Sequence, residues 1–191
     1  MTNAVEIRNL TISFEDKKII DNLTYSFPSN KTTIIAGASG VGKTSLINAI
    51  MNLIPYEGTI EYAPGTRFSA VFQENRLVDG ISAYRNLKIA APALTDSEIK
   101  DGFVSVGLEN DMHTPVSRLS GGMKRRVALL RALLTPYDIL IMDEPFKGLD
   151  ETTAATVKAY VRKKTSEKTV LLITHDSSEV NSYSNILFLE S

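Results

Sequence analysis

Hydrophobic positions recur with period two along residues 4–27. Val5 and Ile7, then Ile12 and Phe14, keep the alternation, and after the polar Glu15-Asp16-Lys17-Lys18 turn Leu23, Tyr25 and Phe27 resume it. Such alternation predicts antiparallel strands with one covered face. The pattern then changes. Thr33-Ile34-Ile35-Ala36 is a short apolar run, and Leu46, Ile50 and Leu53 fall at i, i+4, i+7. A strand followed by an amphipathic helix to about Ile54 is expected there. Residues 58–62 and 67–72 are two further candidate strands, split by a Pro64-Gly65 turn. From about 74 to 119 the texture is helical, with candidate helices over 83–91 and 97–106 and stops at Pro92 and Gly107. Afterwards α/β alternation resumes: a helix over 120–134, a strand over 139–142, a helix over 151–164 and a strand over 170–173. A short helix near 177–182 and a last strand over 186–189 complete it. The runs 139–142 and 170–173 are apolar without alternation, as strands covered on both faces of a parallel sheet are. The expected fold class is therefore α/β: a mainly parallel sheet, an N-terminal antiparallel β-subdomain and a small inserted helical subdomain (about 74–119), within one domain spanning 1–191.

Between the apolar run and the amphipathic helix stand Gly37-Ala38-Ser39-Gly40-Val41-Gly42-Lys43-Thr44. The spacing G-x-x-x-x-G-K-[ST] is that of a phosphate-binding loop, which gives the fold its core type, that of P-loop NTPases. Gly37, Gly40 and Gly42 let the backbone approach phosphate oxygens, and the N–H groups at the helix start form a nest for an anion. Lys43 adds a point charge for the outer phosphates, and Thr44 offers a hydroxyl to the Mg²⁺ that accompanies a nucleotide. A glycine-rich turn that merely precedes a helix is the plain alternative. The apolar strand before and the amphipathic helix after favour nucleotide binding.

Three more stretches acquire meaning beside that loop. Asp143-Glu144 closes the apolar strand 139–142, so Asp143 can serve Mg²⁺ and Glu144 can polarise an attacking water as general base. An ordinary strand-end turn before Pro145 is the alternative. His175 directly follows the strand 170–173, which would deliver it to the same C-terminal sheet edge, where ligands bind in open α/β sheets. A contact to the terminal phosphate is expected of it. Ser120-Gly121-Gly122 opens a long helix. Ser120 is a good N-cap, but two consecutive glycines weaken a helix start unless the backbone must come close to something. A second phosphate-binding helix start in one compact domain implies two copies, each completing the other's site.

Together these residues resemble the ATP-binding-cassette ATPases over essentially the whole chain. Residues 37–44 match the Walker A motif, 139–144 Walker B, Gln73 the Q-loop, Leu119-Ser120-Gly121-Gly122-Met123 the signature, Gly148-Leu149-Asp150 the D-loop and His175 the switch histidine. The resemblance implies an ATP site made of Phe14, stacking on adenine, of Gly37 through Thr44 with Ala38, Ser39 and Val41 included, of Ser45, and of Ser120, Gly121 and Gly122 acting across a head-to-tail homodimer. Catalysis would fall to Glu144, His175 and Lys43, and Mg²⁺ to Thr44, Gln73 and Asp143. Phe14 stands where Tyr is commoner, and Met123 replaces the usual Gln, as in nitrate-, sulfonate- and taurine-type importers. The expected role is the energy-coupling subunit of a transporter, importing rather than exporting. It would work at the inner face of the cell membrane with a separate permease and a solute-binding protein. Leu77, Val78, Ile81 and Tyr84 are candidates for the permease-docking surface, with core packing as the alternative.

Composition trims the remaining classes. A net charge of -1 shows no general pull towards nucleic acid or anionic lipid, and Lys124-Arg125-Arg126 reads as a solvated or ATP-proximal face. This weighs against the alternative of a soluble cassette protein acting on nucleic acid or ribosomes. The absence of cysteine excludes disulfides and thiolate metal sites, and two histidines are too few for a zinc cage. No apolar run is long enough to cross a bilayer, and the start lacks the pattern of a secretory signal. The expected setting is cytoplasmic. The chain is also short beside the family it resembles, and no C-terminal regulatory domain is expected. A guanine-specifying N/T-K-x-D motif is missing, which disfavours a GTPase using the same loop.

Overall fold

The computed structural model describes residues 3–15, 17–176, 180 and 183–190. In chain order the strands and helices begin with β1 (Asn3–Phe14), β2 (Lys17–Pro28), β3 (Thr32–Ala36), α1 (Lys43–Ile50), β4 (Glu57–Glu61) and β5 (Phe68–Val71). The helices α2 (Ala83–Ala90) and α3 (Asp96–Ser105) follow, then a 3-10 turn over Val116–Arg118 and α4 (Gly121–Leu134). The chain continues through β6 (Ile139–Asp143), α5 (Glu151–Thr165), β7 (Thr169–Ile173) and β8 (Asn185–Phe188). The α/β class with an antiparallel N-terminal sheet is therefore as the hydrophobic pattern predicted. The helix expected near 177–182 lies, Val180 apart, outside the described residues.

By contacts the chain divides into two compact units. The first comprises Met1–Phe68, Asp138–Asp143 and Glu167–Ser191; the second comprises Ser69–Tyr137 and Glu144–Ser166. In the first, β2-β1-β4 form an antiparallel sheet. The larger sheet has the strand order β5-β6-β7-β3-β8. Its β6–β7, β7–β3 and β3–β8 pairs are parallel, with Ile35 beside both Ile173 and Leu187, and Asp143 beside Ile173. Every residue of β6 and β7 is buried, which is why neither strand alternates.

Two local departures have physical causes. In β1 the buried set is Val5, Ile7, Leu10 and Ile12, and the pairing register with β2 shifts between Ile7 and Leu10. Asn9 takes a φ of 51° at that point, and its N–H is received by the Thr24 hydroxyl at 3.0 Å. The bulge returns Leu10 to the covered face, so strict alternation breaks there. The second departure corrects the extent of α1, which ends at Ile50 rather than Ile54. Asn52 at φ 56° turns the chain, and Leu53 is exposed beyond the helix while Leu46 and Ile50 are fully buried.

In the second unit α4 packs against α2, α3 and α5. The core is Leu87, Ile99, Phe103, Val127, Leu129, Leu130 and Val157, all at most marginally exposed. Local signals fix the helix starts: Ser82 caps α2, Thr95 and Glu98 form a reciprocal capping box on α3, Ser120 caps α4 and Asp150 caps α5. Helix α1 is the exception, since no side chain caps it.

Candidate functional site

The uncapped start of α1 is the place to begin. Its N-cap position is Gly42 at φ 106°, where an added Cβ would come within 2.8 Å of Ile19 Cγ2. Gly37 opens the same loop at φ 142°, and a Cβ there would meet the Leu189 carbonyl at 2.6 Å. Both positions require glycine for the loop to close as it does. The Lys43 ammonium turns back over the loop and donates to the carbonyls of Gly37 (2.8 Å) and Ala38 (2.7 Å). The free N–H groups of α1, the helix dipole and this ammonium make a positive concavity of the kind that receives phosphate. Ala38, Ser39 and Gly40 lie exposed on its rim, Val41 is buried beneath it and Ser45 is half-buried on the helix.

Strand β6 brings a carboxylate to this helix. Asp143 is only 1% exposed, and its Oδ2 accepts a hydrogen bond from Thr44 Oγ1 at 2.8 Å. A hydroxyl and a carboxylate joined at the loop are hard oxygen donors, and that chemistry suits Mg²⁺ retaining most of its water. His175 lies exposed two residues past β7, the strand between β3 and β6, and so leaves the sheet at the edge where β3 meets the loop. Phe14 ends β1 and is 48% exposed.

The remaining expected site residues belong to the second unit. Gln73, Ser120 and Gly121 are exposed and Gly122 is half-buried. Ser120 accepts the Met123 N–H at 3.2 Å, so it is an ordinary helix cap. The glycines after it are not explained by packing. Among the described residues, a Cβ on Gly121 would meet nothing within 4 Å, and one on Gly122 would make only normal contacts at 3.5 Å, to the Gly148 carbonyl and Leu149. Asp150 accepts the Thr153 N–H at 3.0 Å, and this bond holds its carboxyl below the usual carboxylate range.

A buried arginine binds two of these segments together. Arg125 is 4% exposed and donates through Nε to the Pro145 carbonyl at 2.9 Å and through Nη2 to the Glu144 carbonyl at 2.6 Å. Its Nη1 reaches the Phe72 carbonyl, the Gln73 carbonyl at 3.3 Å and Asn75 Oδ1 at 3.3 Å. One guanidinium thus fixes the backbone of the Gln73 loop and that of the Glu144 turn at once. Glu144 itself sits at φ 46°, a left-handed conformation that a non-glycine residue holds only when its surroundings impose it.

The family profile described as "ABC transporter" matches residues 20–147, which includes the loop, the Gln73 segment, the glycine pair and Asp143-Glu144. The chain belongs to the ABC transporter family. It is similar to an aliphatic sulfonates import ATP-binding protein of Frankia alni, with 35% identity over 92% of this chain and 72% of that protein. A taurine import ATP-binding protein of Pelagibacter ubique is 31% identical over 90% of this chain and 72% of its own length. An intermembrane phospholipid transport system ATP-binding protein of Haemophilus influenzae is 30% identical over 98% of this chain and 80% of its own.

In this ABC ATPase the basic triplet, expected to form a solvated or ATP-proximal face, is not a solvated one. Arg125 is buried, Arg126 Nη1 donates to the carbonyls of Val106 (2.8 Å) and Gly107 (3.0 Å), and Lys124 pairs with Asp79 at 3.4 Å. All three cations are spent on their own unit, because helix α4 is its centre. Arg125 could have been found in the sequence: it lies at i, i+4, i+7 with Leu129 and Ala132 on the face that α4 buries. Of the four docking candidates, Val78 is exposed and Leu77, Ile81 and Tyr84 are half-buried, while Ala83, Asn86 and Leu87 fill the core instead. Among the described residues, no helix is long and apolar enough to cross a membrane.

Proposed function

We propose that this ABC ATPase hydrolyses ATP as the energy-coupling subunit of an importer. Two copies close head-to-tail around two ATP molecules and drive a separate membrane permease at the cytoplasmic face. The observation that carries this reading is the pair of helix starts. α1 has no side-chain cap and a lysine folded over it, while α4 begins with two glycines that no contact among the described residues requires. An uncapped start suits phosphates held in the chain's own loop. A bare, exposed glycine start suits close approach by something outside the chain, and the triphosphate of a second copy fits it. On this reading Lys43 and the loop from Gly37 to Ser45 hold the phosphates, and Phe14 offers its exposed face to adenine. Ser120, Gly121 and Gly122 engage the partner's nucleotide. Thr44 and Asp143, with Gln73, would hold Mg²⁺, which when bound offsets negative charge on the phosphates. Glu144 takes the proton of the attacking water, and His175 contacts the terminal phosphate.

The sulfonate and taurine relatives support import, with a solute-binding protein in the system. The phospholipid-system relative matches as much of the chain, so what the relatives share is the ATP-driven motor and not the cargo. Val78 with Leu77, Ile81 and Tyr84 supplies an accessible surface beside the Gln73 loop for a permease segment. No nucleic-acid partner is proposed, since the basic triplet is engaged internally.

The test is Glu144→Gln with Mg-ATP. Removing the base should abolish turnover while leaving nucleotide binding, so the closed dimer accumulates and light scattering reports twice the monomer mass. A persistent monomer with ATP bound would refute the shared site.

A further inference from the structure

Helices α3 and α5 leave a cavity of 280 Å³ between them, at the small end of ligand cavities, which begin near about 300 Å³. It lies wholly within the second unit and shares no lining residue with the phosphate loop or the signature helix start. Each helix turns one face to it. Glu98 and Asp101 line it from α3, at i and i+3, while Tyr160, Lys163 and Lys164 line it from α5, at i, i+3 and i+4. One wall is therefore anionic and the other cationic. Gly102 also lines the cavity, inside α3, where glycine is unfavourable. A Cβ there would stand 3.0 Å from Leu134 Cδ1 and 3.8 Å from the Tyr160 hydroxyl oxygen, so the glycine lets the helices pack and keeps the space before that hydroxyl clear.

The charges act across the gap without closing it. Two bonds from Thr95, and then the charge of Lys164, hold the Glu98 carboxyl below its usual range. Lys164 Nζ lies 5.7 Å from the centroid of the Tyr160 ring. Burial, with the Asp101 charge, pushes the Tyr160 hydroxyl up to about 12, so it stays a neutral donor. Among the described residues, that hydroxyl makes no hydrogen bond, and neither Asp101 nor Lys163 has an ion pair or a side-chain hydrogen bond. A lone cation entering here is repelled by the lysines, and a lone anion by the carboxylates. A molecule carrying both charges satisfies both walls.

We propose that this cavity is a binding site for a small zwitterion, an ammonium joined by a short chain to a carboxylate or sulfonate. The ammonium faces Asp101, with Glu98 adding charge beside it. The anionic end faces Lys163 and Lys164 and accepts the Tyr160 O–H. The site uses no residue of the proposed nucleotide site and stands apart from that reading.

The experiment follows the backbone amide NMR signals of the isotope-labelled full chain during titration with β-alanine and with taurine, then with propanoate, ethanesulfonate and propylamine, which carry one charge each. At least one zwitterion should give saturable shifts on the amides of α3 and α5, and the comparison of the two shows whether a carboxylate or a sulfonate is preferred. Its affinity should exceed that of every single-charge analogue by about fivefold, the most that one exposed charge pair gives. Asp101→Asn, and Lys163→Gln combined with Lys164→Gln, should each weaken it about three- to fivefold at an unchanged urea midpoint, since these side chains are exposed. No saturable shift with either zwitterion up to about 10 mM would overturn the site. So would shifts confined to the phosphate loop, zwitterions no tighter than the analogues, or folded variants that bind as the wild type does. The analogue comparison uses the unaltered chain and decides even where a substitution disturbs folding.

Discussion

Replacing Arg125 by methionine keeps much of the length and apolar bulk of the side chain and removes every donor. Three carbonyls, those of Phe72, Glu144 and Pro145, lose a charge-assisted bond at once, and two longer contacts to Gln73 and Asn75 go with them. An orphaned buried acceptor costs about 1–3 kcal/mol, which sets an upper sum of roughly 3–9 kcal/mol. Two effects reduce it. The guanidinium no longer has to be stripped of water, which offsets several kcal/mol for a buried ion, and water can reach the exposed Gln73 side of the loop. A net loss of about 2–4 kcal/mol follows, or roughly 4–16 °C in Tm for a chain of this size. Urea unfolding followed by circular dichroism should show a lower midpoint at unchanged slope. Activity should fall further than stability alone predicts, since the Glu144 turn and the Gln73 loop lose their common anchor; kcat should drop at least about tenfold with ATP affinity nearly constant. Arg125→Lys should recover little, because one ammonium cannot reach carbonyls lying in three directions. A loss below about 1 kcal/mol together with wild-type kcat would refute the claim that this guanidinium binds the two segments.

Two further substitutions test other parts of the structure. Asp138 receives the Arg67 N–H at 2.8 Å and two of its guanidinium nitrogens at 3.0 and 3.1 Å, and these bonds draw its pKa down to about 2. A depressed carboxylate contributes stability above its unfolded pKa near 3.8 and loses that contribution as pH falls towards 2, so Asp138→Asn should flatten the decline of the urea midpoint between about pH 4 and 2. Gly121→Ala should fold as well as the wild type or slightly better, by up to about 1 kcal/mol, because alanine favours the helix and its methyl meets nothing among the described residues. The same variant should lose the ATP-induced doubling of mass; a dimer that forms normally would show that the glycine pair is not a contact surface.

What the sequence revealed and what it concealed divide along a physical line. Sheet and loop were readable because their signals are local: β6 and β7 are unbroken apolar runs buried on both faces, and the spacing from Gly37 to Thr44 encodes a backbone shape. The meeting of Thr44 with Asp143 was inferable only through topology, since 99 residues separate them and β3, β7 and β6 must be neighbours for it to occur. The end of α1 was misread because Leu53 fits the helical period while Asn52 takes a left-handed turn that period cannot encode. The solvated reading of the basic triplet failed for a different reason. Charge predicts solvent exposure only where no backbone acceptors converge, and the carbonyls around Arg125 come from two loops whose proximity no window of sequence contains.

The same convergence of loops bears on how Glu144, the proposed base, is held in place. A strand that ends in a carboxylate pair gives Asp143 a buried, rigid seat through β6, but Glu144 is the first residue outside the sheet and takes a conformation the backbone does not favour. Arg125 holds its backbone from within, through the carbonyls of Glu144 and Pro145. Burial insulates that grip from ionic strength, whereas the Lys147 ion pair on the Glu144 carboxylate is open to solvent on the lysine side and screened by salt. The position of Glu144 therefore depends on the buried arginine, so the loss of activity expected of Arg125→Met should persist at high ionic strength.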